Sequence, residues 1–392
     1  MVEWKKLGEV CEYFRGRSLS KTDIGLGEAK VILYGELYTI YGDYITSVKS
    51  KTSTEKAKAA TSIQTNDLLL PVSSTTKEAQ IGKASVYLGN DNVSLGSDAI
   101  ILRNAANSAY LMYYLNSLLF EKEKMSCVHG TTIMHLSPKE LVDKKIPIPS
   151  LSEQNRIVGI LDTFTSAIDN LKEQITQRRK QYEYYRDQLL DLEGKPGVEM
   201  KTLGEVCEIK GRIGFRGYTR EDQVEEGEGV ISLSPGNIEN GQMVYKGCTY
   251  ITWEKYEESP EIKTYDGDIL FCKTGSTVGK VAMVKELPCE ATINPQLVVL
   301  KNITIDSKFL NYILGTYTIQ STVKRLAGVG SVPNISQEKL GNLKIPLPPL
   351  QEQQRIVSIL DTFEASIANL EAQLKQREKQ YEYYRNKLLT FE

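Results

Sequence analysis

Two stretches of the chain place apolar residues on an unbroken alternation of four and three. The first runs through Ile157, Leu161, Phe164, Ile168, Leu171, Ile175, Arg178, Tyr182, Tyr185 and Leu189. The second runs through Ile356, Leu360, Phe363, Ile367, Leu370, Leu374, Arg377, Tyr381, Tyr384 and Leu388. So narrow a stripe predicts a long helix buried by another helix rather than by a broad core. Ile157–Leu190 is about 34 residues, hence ~50 Å at helical rise. Ser150 and Glu153 predict a capping box at the first helix, Pro348 and Pro349 stop the chain before the second, and Gly194 with Pro196 ends the first. The short linker Leu192–Lys201 lets the second helix return antiparallel to the first. The Tyr182 and Tyr185 end then meets Ile356 and Leu360, and the reverse holds by pseudo-symmetry. Arg178 and Arg377 interrupt the stripe at equivalent places, where they either snorkel outward, or fix register or accept a partner's carboxylate.

The helices belong to a duplication. Leu7-Gly-Glu-Val-Cys-Glu12 recurs as Leu203-Gly-Glu-Val-Cys-Glu208, and Leu151–Phe164 recurs 199 residues later as Leu350–Phe363. Lys180-Gln-Tyr-Glu-Tyr-Tyr-Arg186 returns as Lys379–Arg385. Between the matched ends the halves diverge, leaving islands such as Lys145-Ile-Pro147 against Lys344-Ile-Pro346. The expected organisation is a domain over 1–150, a helix over 151–193, a second domain over 194–349 and a helix over 350–392. Both domains read as α/β (α+β). β-branched runs at Val31–Tyr34, Ala99–Leu102 and Gln296–Leu300 alternate with Gly, Ser, Thr and Asn loops, and helices are expected at Ala109–Lys124 and Ser307–Leu326.

Loops in both domains combine cations with small hydroxyl residues, which approach phosphates closely and reach base edges. In the first domain the candidates for DNA contact are Arg15, Arg17, Tyr34, Tyr38, Ser73, Ser74, Thr75, Thr76, Lys77, Lys83, His129, Thr131 and Thr132. In the second they are Lys210, Arg212, Arg216, Asn237, Lys273, Thr274, Ser276, Thr277, Lys280, Ser331 and Asn334. The net charge of −2 argues against nonspecific coating of nucleic acid, so an anionic partner has to be held by a shaped patch.

Other chemistry finds no foothold. Gly275-Ser-Thr-Val-Gly-Lys280-Val281 is one residue short of a P-loop and has Val where Ser or Thr would hold Mg²⁺. Asn294-Pro-Gln-Leu297 lacks the second Pro and the aromatic of an amino-methyltransferase motif. His129 and His135, with Cys127 nearby, read as loop polar groups rather than metal ligands. The six Cys contain no C-x-x-C pair and read as packed thiols. Apolar runs fall short of a membrane span, and Met1–Lys6 has no apolar stretch after it, so a cytoplasmic address is expected.

Pro147–Asp162 and Pro346–Asp361, with the paired domain openings at Trp4–Val10 and Met200–Val206, resemble the two repeats of the specificity subunit of type I restriction-modification systems. The resemblance covers the whole chain. Thr75–Lys83 departs from the usual Gly-Ser-x-x-Gly-Lys form. It implies two target recognition domains, each reading half of a split double-stranded DNA site, with the antiparallel helices as a ruler. It further implies two methyltransferase subunits docked on the helices, bringing S-adenosylmethionine, and restriction subunits bringing ATP and Mg. The chain itself would hold no cofactor or metal and would be noncatalytic. A coiled-coil scaffold, an enzyme acting alone, and a specificity subunit serving a methyltransferase without a nuclease are the competing readings.

Overall fold

The computed structural model describes residues 2–25, 27–75, 80–104, 106–212, 218–328, 330 and 332–391. The chain divides into two compact units. One comprises residues 1–173 and 371–392, the other residues 174–370, so each division point falls within a long helix.

The first unit opens with Glu3–Lys6 paired antiparallel to Lys145–Ile148, which sets the domain opening beside the strand that leads into the long helix. Its main sheet has the order Cys11–Arg15, Ala99–Asn104, Leu68–Pro71, Ser85–Tyr87, Tyr44–Ile45. A second, four-stranded sheet contains Lys51–Thr52, Ala29–Ile32, Val93–Leu95 and Thr61–Ile63. Alternation along Ala99–Asn104 sends Ile100 and Leu102 into one core cluster and Ala99 and Ile101 into another. That is why a strand with nearly continuous apolar residues is needed there. The second unit repeats the plan. Glu199–Thr202 pairs with Lys344–Leu347. Glu208–Lys210, Leu297–Lys301, Ile269–Cys272 and Val281–Met283 form its main sheet, and Val298 and Val299 again face opposite clusters.

Four expectations change in the structure. Val31–Tyr34 is not one strand: pairing stops at Ile32, and a short helix over Tyr34–Thr39 begins because the Glu36 carboxylate takes the Leu33 N–H at 2.7 Å. The expected helix over 109–124 is two helices, Ser108–Leu115 and Leu118–Met125. The Ser117 hydroxyl donates to the Tyr114 carbonyl at 2.6 Å and diverts it from the helical ladder. Thr316 does the same to Ile313 at 2.7 Å, splitting Ser307–Leu314 from Tyr317–Ala327. The Ser150 cap is one-sided, because the Glu153 carboxylate turns to Arg156 at 2.6 Å instead of completing a box.

Both long helices are 40 residues, Leu151–Leu190 and Leu350–Leu389, about 60 Å each. Their first turns are locked by a matched polar clamp. Gln154 donates to the Pro149 carbonyl at 2.8 Å and accepts from the Asn107 N–H at 3.0 Å. Gln353 does the same with Pro348 and Asp306, at 2.8 and 3.1 Å. About two turns on, Tyr113 donates to Asp162 at 2.7 Å, and Tyr312 donates to Asp361 at 2.8 Å.

Within each unit the start of one long helix runs beside the end of the other. In the first, Phe164 stacks on Tyr384 with ring centres 5.3 Å apart, and the Arg377 guanidinium lies 5.8 Å over Phe164. In the second, Phe363 stacks on Tyr185 at 5.5 Å under the Arg178 guanidinium at 6.0 Å. The two interrupting arginines stay at the surface, Arg377 exposed and Arg178 half-buried. Each covers the aromatic ring of the helix beside it. Ile157, Leu161, Ile356 and Leu360 are fully buried, and Ile168 and Ile175 nearly so. Phe164, Leu171, Tyr182, Phe363, Ile367, Leu370, Leu374 and Tyr381 are half-buried, and Tyr185 and Tyr384 keep an exposed edge while stacked.

Leu161→Ala is expected to lower the stability of the first unit by about 2–5 kcal/mol, since a fully buried side chain leaves a cavity. Lys172→Ala, on the exposed face, stays within about 0.5 kcal/mol. Urea unfolding of the two variants measures the difference. The Cys11 and Cys207 thiols, pushed up to about 12 by burial, are expected to resist alkylation at pH 8 until the chain unfolds, whereas the half-buried Cys248 and Cys289 react first in a timed mass-spectrometric labelling.

Candidate nucleic-acid interface

In the first unit a cleft of about 360 Å³ opens where the main sheet meets the strand Met134–Leu136. Arg15, Ser73, Asp98, His129, His135 and Lys139 line it. Strand pairing sets Ser73 opposite His135 and His135 opposite His129. The Ser73 hydroxyl donates to Asp98 at 2.8 Å and lies 3.0 Å from His135 Nδ1. Since its single proton goes to the carboxylate, the imidazole is the donor in the second bond. That polarity is the reverse of an activated nucleophile, whose hydroxyl gives its proton to histidine.

Backbone geometry positions the rest. Arg15 ends its strand and Gly16 follows, where a Cβ would stand 1.9 Å from the Gly96 carbonyl oxygen, so only glycine turns the chain there. Asp98 adopts the left-handed conformation at φ 63°, and its carbonyl accepts from Val72 at 2.8 Å. Tyr38 is half-buried and donates to the Ser73 carbonyl at 3.2 Å; burial raises the pKa of its phenol. His129 Nε2 lies 2.9 Å from Glu140.

The second unit builds the same place with different groups. Thr274 forms a bridge with Asn334 and donates to its side-chain oxygen at 2.7 Å. Gln296, exposed, precedes the second strand of its main sheet as Asp98 does, and its carbonyl accepts from Lys273 at 2.9 Å. Gly275 and Gly279, at φ 99° and 95°, turn the loop between them. Lys280 does not project from that loop as a P-loop lysine would. It donates to the Ile238 and Pro235 carbonyls at 2.9 and 3.3 Å.

The predicted contact residues therefore separate into outward and inward sets. Arg15, Arg17, Thr75, His129, Thr131, Thr132, Ser276 and Asn334 are exposed, while Tyr34, Lys83, Lys210, Lys273, Thr274 and Thr277 are half-buried. Lys210 is paired with Glu208 at 2.8 Å, and Thr277 lies 3.4 Å from Cys272 Sγ. Ser73 is buried at the cleft floor, and Ser74 is buried next to it in the chain. Arg212 corrects the expectation of a projecting cation. It is buried, donates to the Ile293 carbonyl at 3.0 Å and lies over Tyr218. Desolvation lowers its pKa. Asn237 is buried too, its side chain accepting from Ser234 and donating to Val244. Thr76, Lys77, Arg216 and Ser331 lie outside the described residues. Asp98, His135, Lys139 and Gln296 were not among the expected contacts; strand pairing brings Asp98 and His135 to the cleft of the first unit, the short helix Pro138–Val142 brings Lys139, and Gln296 lies at the equivalent strand start of the second unit. Among the described residues no group of three or more His, Cys, Asp or Glu is placed to hold a metal ion, and no helix is long and apolar enough to cross a membrane.

Duplicated α+β domains, each completed by paired antiparallel helices, define the structural class, and sequence comparison supplies the family. Residues 1–178 and 196–379 each match the type I restriction modification DNA specificity domain. The chain belongs to that family, whose specificity subunits are noncatalytic DNA-recognition subunits. It is 36% identical over 265 residues to the EcoR124I/EcoR124II specificity subunit of Escherichia coli, a match spanning 63% of each chain. It is 26% identical over 408 residues to the MjaVIII specificity subunit of Methanocaldococcus jannaschii, covering 99% of this chain and 92% of that one. The type I S subunit from M. genitalium shares the fold at a TM-score of 0.58 and 17% identity, covering 100% of this chain and 97% of that one.

Arg212→Ala is expected to destabilise the second unit by about 1–3 kcal/mol, because the Ile293 carbonyl loses its buried donor. Arg15→Ala, at an exposed site, changes stability by no more than about 0.5 kcal/mol. Thermal unfolding of the two variants checks the contrast.

Proposed function

We propose that the chain is the DNA-specificity subunit of a type I restriction-modification complex and reads a bipartite site, one half with each domain. The observation that carries this reading is the pairing of two matched heptad stripes inside one polypeptide, stitched by Phe164 with Tyr384 and by Phe363 with Tyr185. Helix pairs of this kind are stiff spacers. At about 60 Å each helix exceeds one turn of duplex DNA, ~34 Å, which suits two half-sites separated by an unread spacer. Affinity comes from exposed cations such as Arg15 and Arg17 on phosphates, and sequence choice from the cleft side chains.

The helices and the domain faces beside them dock two methyltransferase subunits. These bind S-adenosylmethionine, flip the target adenine and methylate it, while restriction subunits supply ATP-driven translocation and Mg-dependent cleavage. This chain contributes no reacting group. Its part is to choose where the partners act.

Sequencing methylated adenines in DNA from cells that express the chain with its methyltransferase tests the proposal, and a split consensus is the expected result. Exchanging residues 12–146 for the equivalent segment of another such subunit should change one half of that consensus and leave the other intact. Introducing Ile168→Asp together with Ile367→Asp places charges in the helix seam, at a cost of several kcal/mol. It should abolish bipartite methylation while circular dichroism shows both domains folded. Unaltered site choice by the double variant would refute the ruler.

A further inference from the structure

We infer that Asp98 and Gln296 are the specificity-determining positions of the two domains, each offering a different hydrogen-bonding edge to a base pair of its own half-site, Asp98 taking an exocyclic amino group. The inference rests on the function proposed above and deepens it.

The two positions are structurally equivalent. Each immediately precedes the second strand of its main sheet, Ala99–Asn104 or Leu297–Lys301. Each gives its main-chain carbonyl to the same neighbour, Val72 at 2.8 Å or Lys273 at 2.9 Å. Each lies beside a hydroxyl residue, Ser73 or Thr274, that bonds the side chain across from it, His135 or Asn334. The strand position and the carbonyl bond are thus held constant while all three side chains change, and only residue 98 takes the left-handed conformation.

The chemistry of the change decides what each can read. Asp98 is exposed, and its carboxylate is an acceptor only; Ser73 occupies one oxygen. A carboxylate brought to a polyanion is repelled unless it meets a donor. In the major groove the donors are the amino groups of cytosine and adenine. Arg15 and Lys139 line the same cleft and offset the repulsion by binding phosphate. Gln296 carries both a donor and an acceptor, the pattern that pairs bidentately with adenine. Its amide oxygen meets the Asn294 side chain at 3.3 Å, so the edge is pre-oriented. His135 donates to Ser73, Ser73 donates to Asp98, and the chain of bonds fixes the carboxylate against rotation.

The test uses the complete methyltransferase complex assembled with the wild-type chain, with Asp98→Asn, or with Gln296→Glu. Asparagine tolerates the left-handed backbone at residue 98 as well as aspartate does, so that variant keeps the turn. Methylated adenines are sequenced in host DNA, and purified complexes compete for duplexes carrying each of the four base pairs at every half-site position. Asp98→Asn should flatten the ranking at one base pair of one half-site by roughly tenfold or more, leaving the other half-site untouched. Gln296→Glu should do the converse. If both variants keep the wild-type rankings the inference falls, while a split wild-type consensus leaves the broader function standing. A uniform loss at all positions would mark Asp98 as structural and equally overturn it. A wild-type complex without a split consensus removes the broader function and this inference with it.

Discussion

A heptad stripe is too narrow to be buried by a globular core, and this constraint governs the chain. Each long helix carries such a stripe for its whole length, so it must lie against a second helix or leave Phe164, Phe363 and their neighbours in water. The aromatic stack and the guanidinium above it, repeated as Phe164, Tyr384 and Arg377 and as Phe363, Tyr185 and Arg178, satisfy the requirement. Arginine suits that position because its flat cation covers a ring while its charge remains solvated. Domain cores then depend on the pairing. Leu389 and Tyr381 pack in the core that contains Leu161, and Leu190 and Tyr182 in the core that contains Leu360. Neither core is complete without the end of a helix that begins elsewhere in the sequence.

The direction of each helix is set within its first twelve residues. Gln154 and Gln353 span from a proline carbonyl to the N–H that opens the next helix of the domain. Removing either amide would leave a buried carbonyl and N–H unpaired, which is costlier than the bonds themselves are favourable. Asp162 and Asp361 are held by Tyr113 and Tyr312, but their second partners differ: Tyr44 donates to Asp162 at 2.6 Å, whereas Lys308 forms an ion pair with Asp361. One aspartate is thus solvated by two phenols and the other by a phenol and a cation. The duplication preserved the anchor and let its surroundings drift.

What the sequence disclosed follows from how local each signal is. The helix pair was legible because period 3.5 is written in consecutive residues, and the repeat of Leu151–Phe164 at Leu350–Phe363 doubled the signal. The broken helices were not, since the competing hydroxyls of Ser117 and Thr316 look like ordinary helix residues until their carbonyl partners are known. Arg178 and Arg377 were seen as anomalies, but a cation over a ring requires knowing which residue lies opposite. The inward turn of Arg212 was hidden for a related reason. A Lys-Gly-Arg sequence reads as an exposed loop, and only the proximity of Ile293 and Tyr218, about 80 residues away or six residues on, turns the guanidinium inside. Asp98 and Gln296 carry no motif at all; equivalence between them exists in strand pairing and carbonyl bonds, not in residue type.

That last contrast shows how one scaffold can carry two different sets of exposed side chains. The retained residues, Gln154 with Gln353, Asp162 with Asp361 and Tyr113 with Tyr312, have buried or half-buried polar atoms whose partners are fixed, so substitution leaves a donor or acceptor unsatisfied. Asp98 and Gln296 are exposed, and the fold takes from both the main-chain carbonyl, asking at residue 98 also for a side chain that tolerates the left-handed backbone, as Asp and Asn do. Exchange at such positions costs little stability, yet it replaces the hydrogen-bonding pattern shown to a ligand. The His135 and Asn334 positions sit between these extremes. Each bonds a hydroxyl on the neighbouring strand, and either an imidazole or an amide can serve that bond. The main-chain carbonyls hold the fold while the exposed side chains are left to differ, within the limit that the left-handed turn at residue 98 sets.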